Sequence, residues 1–350
     1  MPANLAIVND TVSMAYVGET PWHKCGAKLD VNTPIEVWQE KAGLNFEVKK
    51  ADVSFVADLD NGLTRNVKAD NRSVLYRSDT GDYLSVMSDN KYKIVQPREV
   101  MEFYEDLIAA SEGEFDLETA GALDGGRKIW AMAKARKTTS IMGQDKILPY
   151  LLLTTSFDGT SATIGKFTSV RVVCENTLSL SLGRKENGGM VRIPHSRDFD
   201  PAVVKMELSL YRDQLADFNE AATKLATVNV DDRKAMDYFA RLYGPKAIDN
   251  LTDELPDISD FSTNKKNTIN DLMTAYFNGP GSDLLSARHT AWGLINAVTF
   301  YQDHEARTRS TDGNSTEQAR FASSQFGAGA RMKERAVNLA NQMLEQAIAA

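Results

Sequence analysis

The chain has 350 residues, of which 42% are hydrophobic, 25% charged and 8% aromatic, with 40 Lys and Arg against 48 Asp and Glu for a net charge of −8. That is the composition of a folded chain able to bury one large core or two smaller ones, and it argues against disorder and against a uniformly positive coat for nucleic acid. The longest apolar run, around Tyr150 to Leu153, falls far short of the roughly 18 residues of a membrane span, so no membrane partner is expected.

The N-terminus, MPANLAIVND, has no basic segment leading into a long apolar one, so a cytoplasmic location is expected. Cys25 and Cys174 lie far apart and read as two reduced thiols. Residues 1–45 read as an irregular arm with one short helix, Pro34 to Lys41, capped by Asn32 or Thr33.

A strand is predicted from Phe46 to Phe55, and Ser73 to Tyr76 and Tyr83 to Met87 flank Asp79-Thr80-Gly81-Asp82 as a hairpin. Pro97 then opens a helix in which Val100, Met101, Tyr104, Leu107 and Ile108 recur at helical spacing. A second hairpin, Phe115 to Ala122 and Lys128 to Ala133, turns on Asp124-Gly125-Gly126. The third, Leu148 to Val173, turns on Asp158-Gly159, after which Asn176 or Thr177 is expected to cap a short helix carrying Leu178 and Leu182.

Arg184 to Arg197 reads as a polar loop or a long hairpin, and the texture then becomes helical: Pro201 to Thr227, Asp231 to Leu242, Asn267 to Asn278, Ser286 to Arg307 and Gly329 to Ala349. The fold class is therefore α+β, an antiparallel hairpin meander with helices on one face followed by a mostly helical part. The expected organisation is an arm at 1–45, a hairpin core at 46–183, a connecting loop at 184–200 and a helical region at 201–350. The stripe Val204, Leu208, Tyr211, Leu215, Phe218, Ala222 and Leu225 needs a partner, either the chain's own sheet or another protomer.

No nucleophile, metal cluster or phosphate loop stands out, so no catalytic residue, metal or cofactor is assigned. His23 and Cys25, with Cys174 and His195, are an incomplete zinc set. Glu175 near Asp158, or Asp303 with Glu305, could hold magnesium if carboxylates converged. The segment from Ala120 to Asp200 carries +5, twelve Lys and Arg against seven Asp and Glu, which leaves −13 to the rest and points to an anionic partner. Arg127, Lys128, Lys134, Lys166 and Arg171 lie on or beside strands of adjacent hairpins and are the candidate nucleic-acid-binding residues, with Trp130, Tyr150, Phe157 or Phe167 as stacking surfaces.

PWHKCG at 21–26, TAGALDGGRKIWAMAK, PYLLLTTSFDGTSAT, FTSVRVVCENTL, TAWGLINAVTFYQDH and SSQFGAGARMKERA together resemble the phage/plasmid-like protein family built on a domain of unknown function. The resemblance spans about Pro21 to Ala336 and implies a mobile-element origin without an activity. The order of elements from Phe46 to Leu182 is also similar to the hairpin core of phage single-strand annealing proteins of the Red-beta and Erf kind, a likeness of element order rather than of motif.

The expected function is thus a non-enzymatic, self-assembling protein of a mobile element that binds or anneals single-stranded DNA. The alternative is an interaction or inhibitor protein that binds a host or phage protein; a metal-dependent hydrolase ranks third.

Overall fold

The computed structural model describes residues 5–18, 26–111, 113–171, 176–179, 190–202, 211–244, 248–255, 257–307, 320, 323–324 and 327–349. Its N-terminal part is built of antiparallel sheets and its helices are concentrated in the C-terminal part, the α+β arrangement that the patterning predicts.

The described residues at 5–18 and 26–29 form strands rather than an irregular arm. They form the small hairpin β1 (Ile7–Val8) and β2 (Thr11–Val12), then β3 (Met14–Val17) and β4 (Ala27–Leu29), a parallel pair that extends the main sheet. Helix α1 (Ile35–Lys41) follows, but neither Asn32 nor Thr33 caps it: Pro34 holds the N-cap position, and the Thr33 hydroxyl donates to the Asp30 carbonyl instead (2.6 Å).

Three strands, β5 (Val48–Asp58), β6 (Thr64–Arg77) and β7 (Tyr83–Ser88), make a separate sheet, its first two strands longer than the sequence suggests. The side-chain amide of Gln96 sits on the outer edge of β5 like a short strand: Oε1 accepts from the Val48 N–H (2.9 Å) and Nε2 donates to the Val48 carbonyl (3.0 Å). Helix α2 (Pro97–Ala110) begins directly after it, with proline at a position where no N–H is needed and Glu99 accepting from the Gln96 N–H (2.7 Å).

The main sheet runs β13-β12-β11-β9-β8-β3-β4, from strands β8 (Phe115–Leu123), β9 (Lys128–Ala135), β11 (Asp145–Ser156), β12 (Thr163–Arg171) and β13 (Asn176–Ser179). Strand β10 (Thr139–Ile141) adds to β11, and β14 (Met190–Ile193) to β12. One expectation is corrected here. Asn176 to Ser179 is a strand, not the start of a helix: it pairs with Thr168 to Arg171 and so satisfies a backbone edge that would otherwise be left open. The stretch from Arg184 to Arg197, expected as a loop or a long hairpin, contains a strand in its described part, Met190–Ile193, on the same edge of β12.

One face of this sheet is the core. Ile129, Ala131, Ala133, Leu151, Leu153 and Phe167 are all buried. Against them lies α2, whose buried Tyr104 hydroxyl donates to the Ala131 carbonyl (2.7 Å) and the Leu151 carbonyl (3.0 Å). The same core continues into α3 (Tyr211–Thr227), α4 (Asp232–Tyr243), α5 (Thr263–Asn278), α6 (Ala291–Phe300) and α7 (Ala328–Ala349).

Helix α6 is buried from Ala291 to Thr299, its polar side chains Asn296 and Thr299 donating back to the Trp292 and Asn296 carbonyls of the helix itself. Of the predicted stripe, Leu215, Phe218, Ala222 and Leu225 are buried, and Phe218 meets the Trp292 ring edge-on at 6.1 Å, so this part packs within the chain. Val204, Leu208 and the Tyr211 side chain lie outside the described residues. A buried carboxylate joins the two halves: Asp145 at the start of β11 accepts from the Ser286 hydroxyl (2.9 Å) and the Trp292 indole N–H (3.0 Å).

Candidate nucleic-acid interface

Successive side chains along a strand point to opposite faces, so register decides which basic residues share a surface. Strand β11 pairs Tyr150 with Lys134, Leu152 with Met132 and Ser156 with Lys128 on one side, and Leu152 with Lys166 on the other. Lys128, Lys134 and Lys166 therefore fall on the face opposite the main core. Lys146, four residues before Tyr150 on β11, joins them. The face spans three adjacent strands.

Between the lysines lie apolar and aromatic side chains. Trp130 and Leu152 form a small second core with Leu5, Met14 and Leu123, closed by Val12 of the N-terminal hairpin. Gly121 makes this possible, because a Cβ there would sit 2.3 Å from Cη2 of Trp130 and 2.6 Å from the Ser13 carbonyl oxygen. Beyond that cover, Met132, Leu148 and Ile164 remain half-buried beside the lysines.

The four lysines differ in environment. Lys146 is exposed and Lys128 half-buried. Lys134 is 3.6 Å from the Glu118 carboxylate, which also accepts from the Tyr150 hydroxyl (3.2 Å). Burial nevertheless pushes the Glu118 carboxyl up, with Lys134 opposing. Lys166 is pushed down to about 8, first by burial and then by repulsion from Lys333.

Arg127 does not join this face. Arg127 leaves the sheet at the β8–β9 turn, exposed, with its guanidinium 5.8 Å from the ring centre of Tyr83 on β7. That turn is fixed from behind by Arg77, a buried arginine that lies 3.9 Å from the Phe46 ring centre and binds both carboxylate oxygens of Asp79 (3.0 and 2.8 Å). The pairing holds the Asp79 carboxyl below the usual range. A Cβ on Gly126, whose φ is +96°, would meet Arg77 at 2.5 Å. Arg171 ends β12 opposite Ile147, an odd number of residues from Lys166 and so at a position of opposite facing; its side chain lies outside the described residues.

Of the stacking candidates, Trp130 and Tyr150 belong to the lysine face, whereas Phe157 and Phe167 are in the main core. The exposed Tyr83 and Lys146 were not singled out from sequence. Lys146 could have been found by counting alternate positions back from Tyr150; nothing in the chain near Tyr83 points to Arg127, which is brought to it by the packing of two sheets.

The metal alternatives fare unequally. His23, Cys25, Cys174 and Glu175 lie outside the described residues. His195 stacks on Tyr92 at 4.4 Å between ring centres, with its ring nitrogens near the Lys93 and Ser161 carbonyls (3.0 and 3.2 Å). Asp303 is buried in an ion pair with Lys333 of α7, so the Asp303–Glu305 magnesium pair is corrected to a structural contact. It sits in a π-helical turn, Tyr301–Glu305, in which Tyr301 and Gln302 are also buried. Gln302 donates there to the Tyr243 hydroxyl (2.6 Å). Among the described residues, no three His, Cys, Asp or Glu side chains converge as metal ligands, and no helix is long and apolar enough to cross a membrane.

A family model described as a domain of unknown function, DUF932, matches residues 83–324. No curated protein and no solved structure matches the chain. The matched span takes in the second and third hairpins, the Asp145 junction, α6 and the π-helical turn.

Proposed function

The chain belongs to the DUF932 family, whose description assigns no activity, and we propose from the geometry of its sheet that it is a non-enzymatic protein that holds single-stranded DNA, carried by a phage or other mobile element. The observation that carries this reading is the sharing of one sheet face by Lys128, Lys134, Lys146 and Lys166, with Met132, Tyr150 and Ile164 among them. Lysines spaced over adjacent strands would follow a phosphate backbone, and the half-buried apolar groups between them, Met132 and Ile164, would meet bases without reading sequence, Tyr150 itself being buried. The exposed Arg127 over Tyr83 is a second cation-and-ring surface at the end of the same hairpin.

The overall charge of −8 does not oppose this, because the 120–200 segment is +5 and charges beyond roughly 10 Å are screened in 0.1 M salt. The test is anisotropy of a labelled oligonucleotide titrated with the protein over a range of salt. Binding should weaken with salt, and removing each phosphate-contacting lysine, Lys128→Ala or Lys146→Ala, should reduce the log–log slope by about 0.7. No association at low salt would overturn the reading.

A second reading, a protein that captures a host or phage protein, is favoured by the acidic ribbon at the tip of the β5–β6 hairpin, where Phe55, Leu59 and Leu63 are exposed. Capture that survives nuclease treatment, with no oligonucleotide binding, would support it instead.

A further inference from the structure

The separate sheet of β5, β6 and β7 turns one face to the body and the other to solvent. The inner face carries Val48, Ser73, Leu75 and Arg77, all buried, and the buried Ser85, whose hydroxyl donates to the Phe157 carbonyl. Register sets the alternate positions side by side on the outer face: Lys49 with Tyr76 and Tyr76 with Tyr83, Ala51 with Val74 and Val74 with Val86, and Arg72 with Ser88. A shift of register between Leu75 and Tyr76 lets Leu84 and Ser85 both turn inward on β7, so that Tyr83 and Val86 stay outside. Tyr83 is 55% exposed and Val86 41%, while Val74 and Tyr76 are half-buried.

The first row of this face runs cation, ring, ring, cation. Lys49, Tyr76 and Tyr83 sit on adjacent strands about 5 Å apart, and Arg127 ends the row, its guanidinium 5.8 Å from the Tyr83 ring centre. Ala51, Val74 and Val86 make the next row, and Arg72 lies beyond Val74. Against these three cations alternation gives the face one carboxylate, Glu47, 3.8 Å from Lys49 with both side chains in water. The other acids nearby are engaged elsewhere: Asp89 by Lys50 and Ser73 of the inner face, Asp79 by Arg77, Asp82 by Thr80, and Asp124 more by Lys128 than by Arg127. Neither Arg72 nor Arg127 makes an ion pair with a described residue. A cross-strand tyrosine pair supports a sheet by itself, but cations at both ends of it and in the third row suit an anionic ligand with flat apolar groups. A second copy of this face would set cation against cation.

We propose that the outer face of the β5–β6–β7 sheet is the base-stacking platform for single-stranded DNA, with one base on Tyr76, the next on Tyr83, and the phosphates on Lys49, Arg72 and Arg127. Every base has a flat face, so such a platform is indifferent to sequence. The inference rests on the DNA reading and supplies what the lysine face lacks, because the rings of that face, Trp130 and Tyr150, are buried. The two surfaces adjoin: Arg127 directly precedes Lys128, the first lysine of β9, so a strand leaving the lysines turns the end of the hairpin and meets Arg127 and then Tyr83.

The test uses the full chain and an oligothymidylate carrying iododeoxyuridine. Irradiation of the complex at low salt should link the DNA to the peptides that hold Tyr76 and Tyr83, a result read on the natural protein and so independent of how any variant folds. In anisotropy titrations Tyr76→Ala and Tyr83→Ala should each weaken binding about tenfold with the salt slope kept, and phenylalanine at both positions should restore most of what the alanines lose. Arg72→Gln or Arg127→Gln should instead lower the slope by about 0.7. Links confined to peptides of the lysine face, with binding indifferent to both alanine variants, would overturn the inference, leave the DNA reading standing and assign the platform to a protein. Phenylalanine variants as weak as the alanine ones would also overturn it, since stacking needs the ring alone. Binding that answers to the tyrosines but not to Lys128→Ala with Lys146→Ala would keep the platform and remove the lysine face. An oligonucleotide that never binds defeats both.

Discussion

The two faces of the main sheet are made by the same strands and have opposite characters. On one, Ile129, Ala131, Ala133, Leu151, Leu153 and Phe167 are dry and covered by helices; on the other, lysines alternate with Trp130, Met132, Tyr150 and Leu152, and the N-terminal hairpin covers only part. The period-two alternation of a strand gives the two faces different characters: one is mainly apolar, and the other sets lysines among side chains of which Trp130, Tyr150 and Leu152 are buried. Substitutions should separate them.

The largest effect is expected on the dry face. Leu151→Ala removes a fully buried side chain from among Ala133, Phe167 and α2 and should cost about 2–5 kcal/mol in urea unfolding. A cost under about 1 kcal/mol would mean that this face does not carry the fold. Gly121→Ala tests the small core opposite. The new methyl must displace Trp130 or β3, and about 1–3 kcal/mol should be lost, with a change in Trp130 fluorescence.

Next is the junction with the helical half. Trp292→Phe keeps the ring but withdraws one of the donors to the buried Asp145 carboxylate, and should cost about 1–3 kcal/mol. Arg77→Met acts at the far end. It should make the chain less stable at neutral pH but remove part of its acid sensitivity: with the Asp79 carboxyl lowered in the folded state, the stabilisation is full above the ordinary carboxylate value and is lost as pH falls through the folded one. Parallel acid-unfolding curves for the two proteins would contradict this.

The smallest effect has the opposite sign. Lys166 titrates at about 8 in the folded protein, below its unfolded value, so between about 8 and 10 the unfolded chain holds the extra proton and stability rises with pH. Lys166→Met should raise the melting temperature slightly at pH 7 and flatten that rise. If the lysine face holds DNA, binding by the natural protein should also weaken between pH 7 and 9, where ordinary lysines remain charged.

Much of the fold was legible because local chemistry and tertiary structure agree. Pro97 opens α2, Asp231 caps α4 through the Lys234 N–H, and Asp124-Gly125-Gly126 takes the positive φ that its turn requires. The arm strands were not, since two- to four-residue strands have too little alternation to show a period and depend on β8 for pairing. Asn176 and Thr177 suit the cap of a helix, whereas the open strand edge alongside decides the outcome. The candidate site divided along the same line. Lys128, Lys134 and Lys166 share a face that alternation defines, and the odd spacing of Arg171 from Lys166 was present in the sequence from the start. The long ribbon also had its signal, Asp60-Asn61-Gly62 between alternating flanks, but its meaning rests on how little of it the body covers.

The Gln96 amide on Val48 has a bearing on solubility. By occupying both backbone groups at the root of the outermost strand of the small sheet, it denies neighbouring molecules a flush template for adding strand upon strand. Replacing it with an aliphatic residue would open that root, and the expected price is turbidity on concentration, a colloidal fault in a molecule whose interior is otherwise intact.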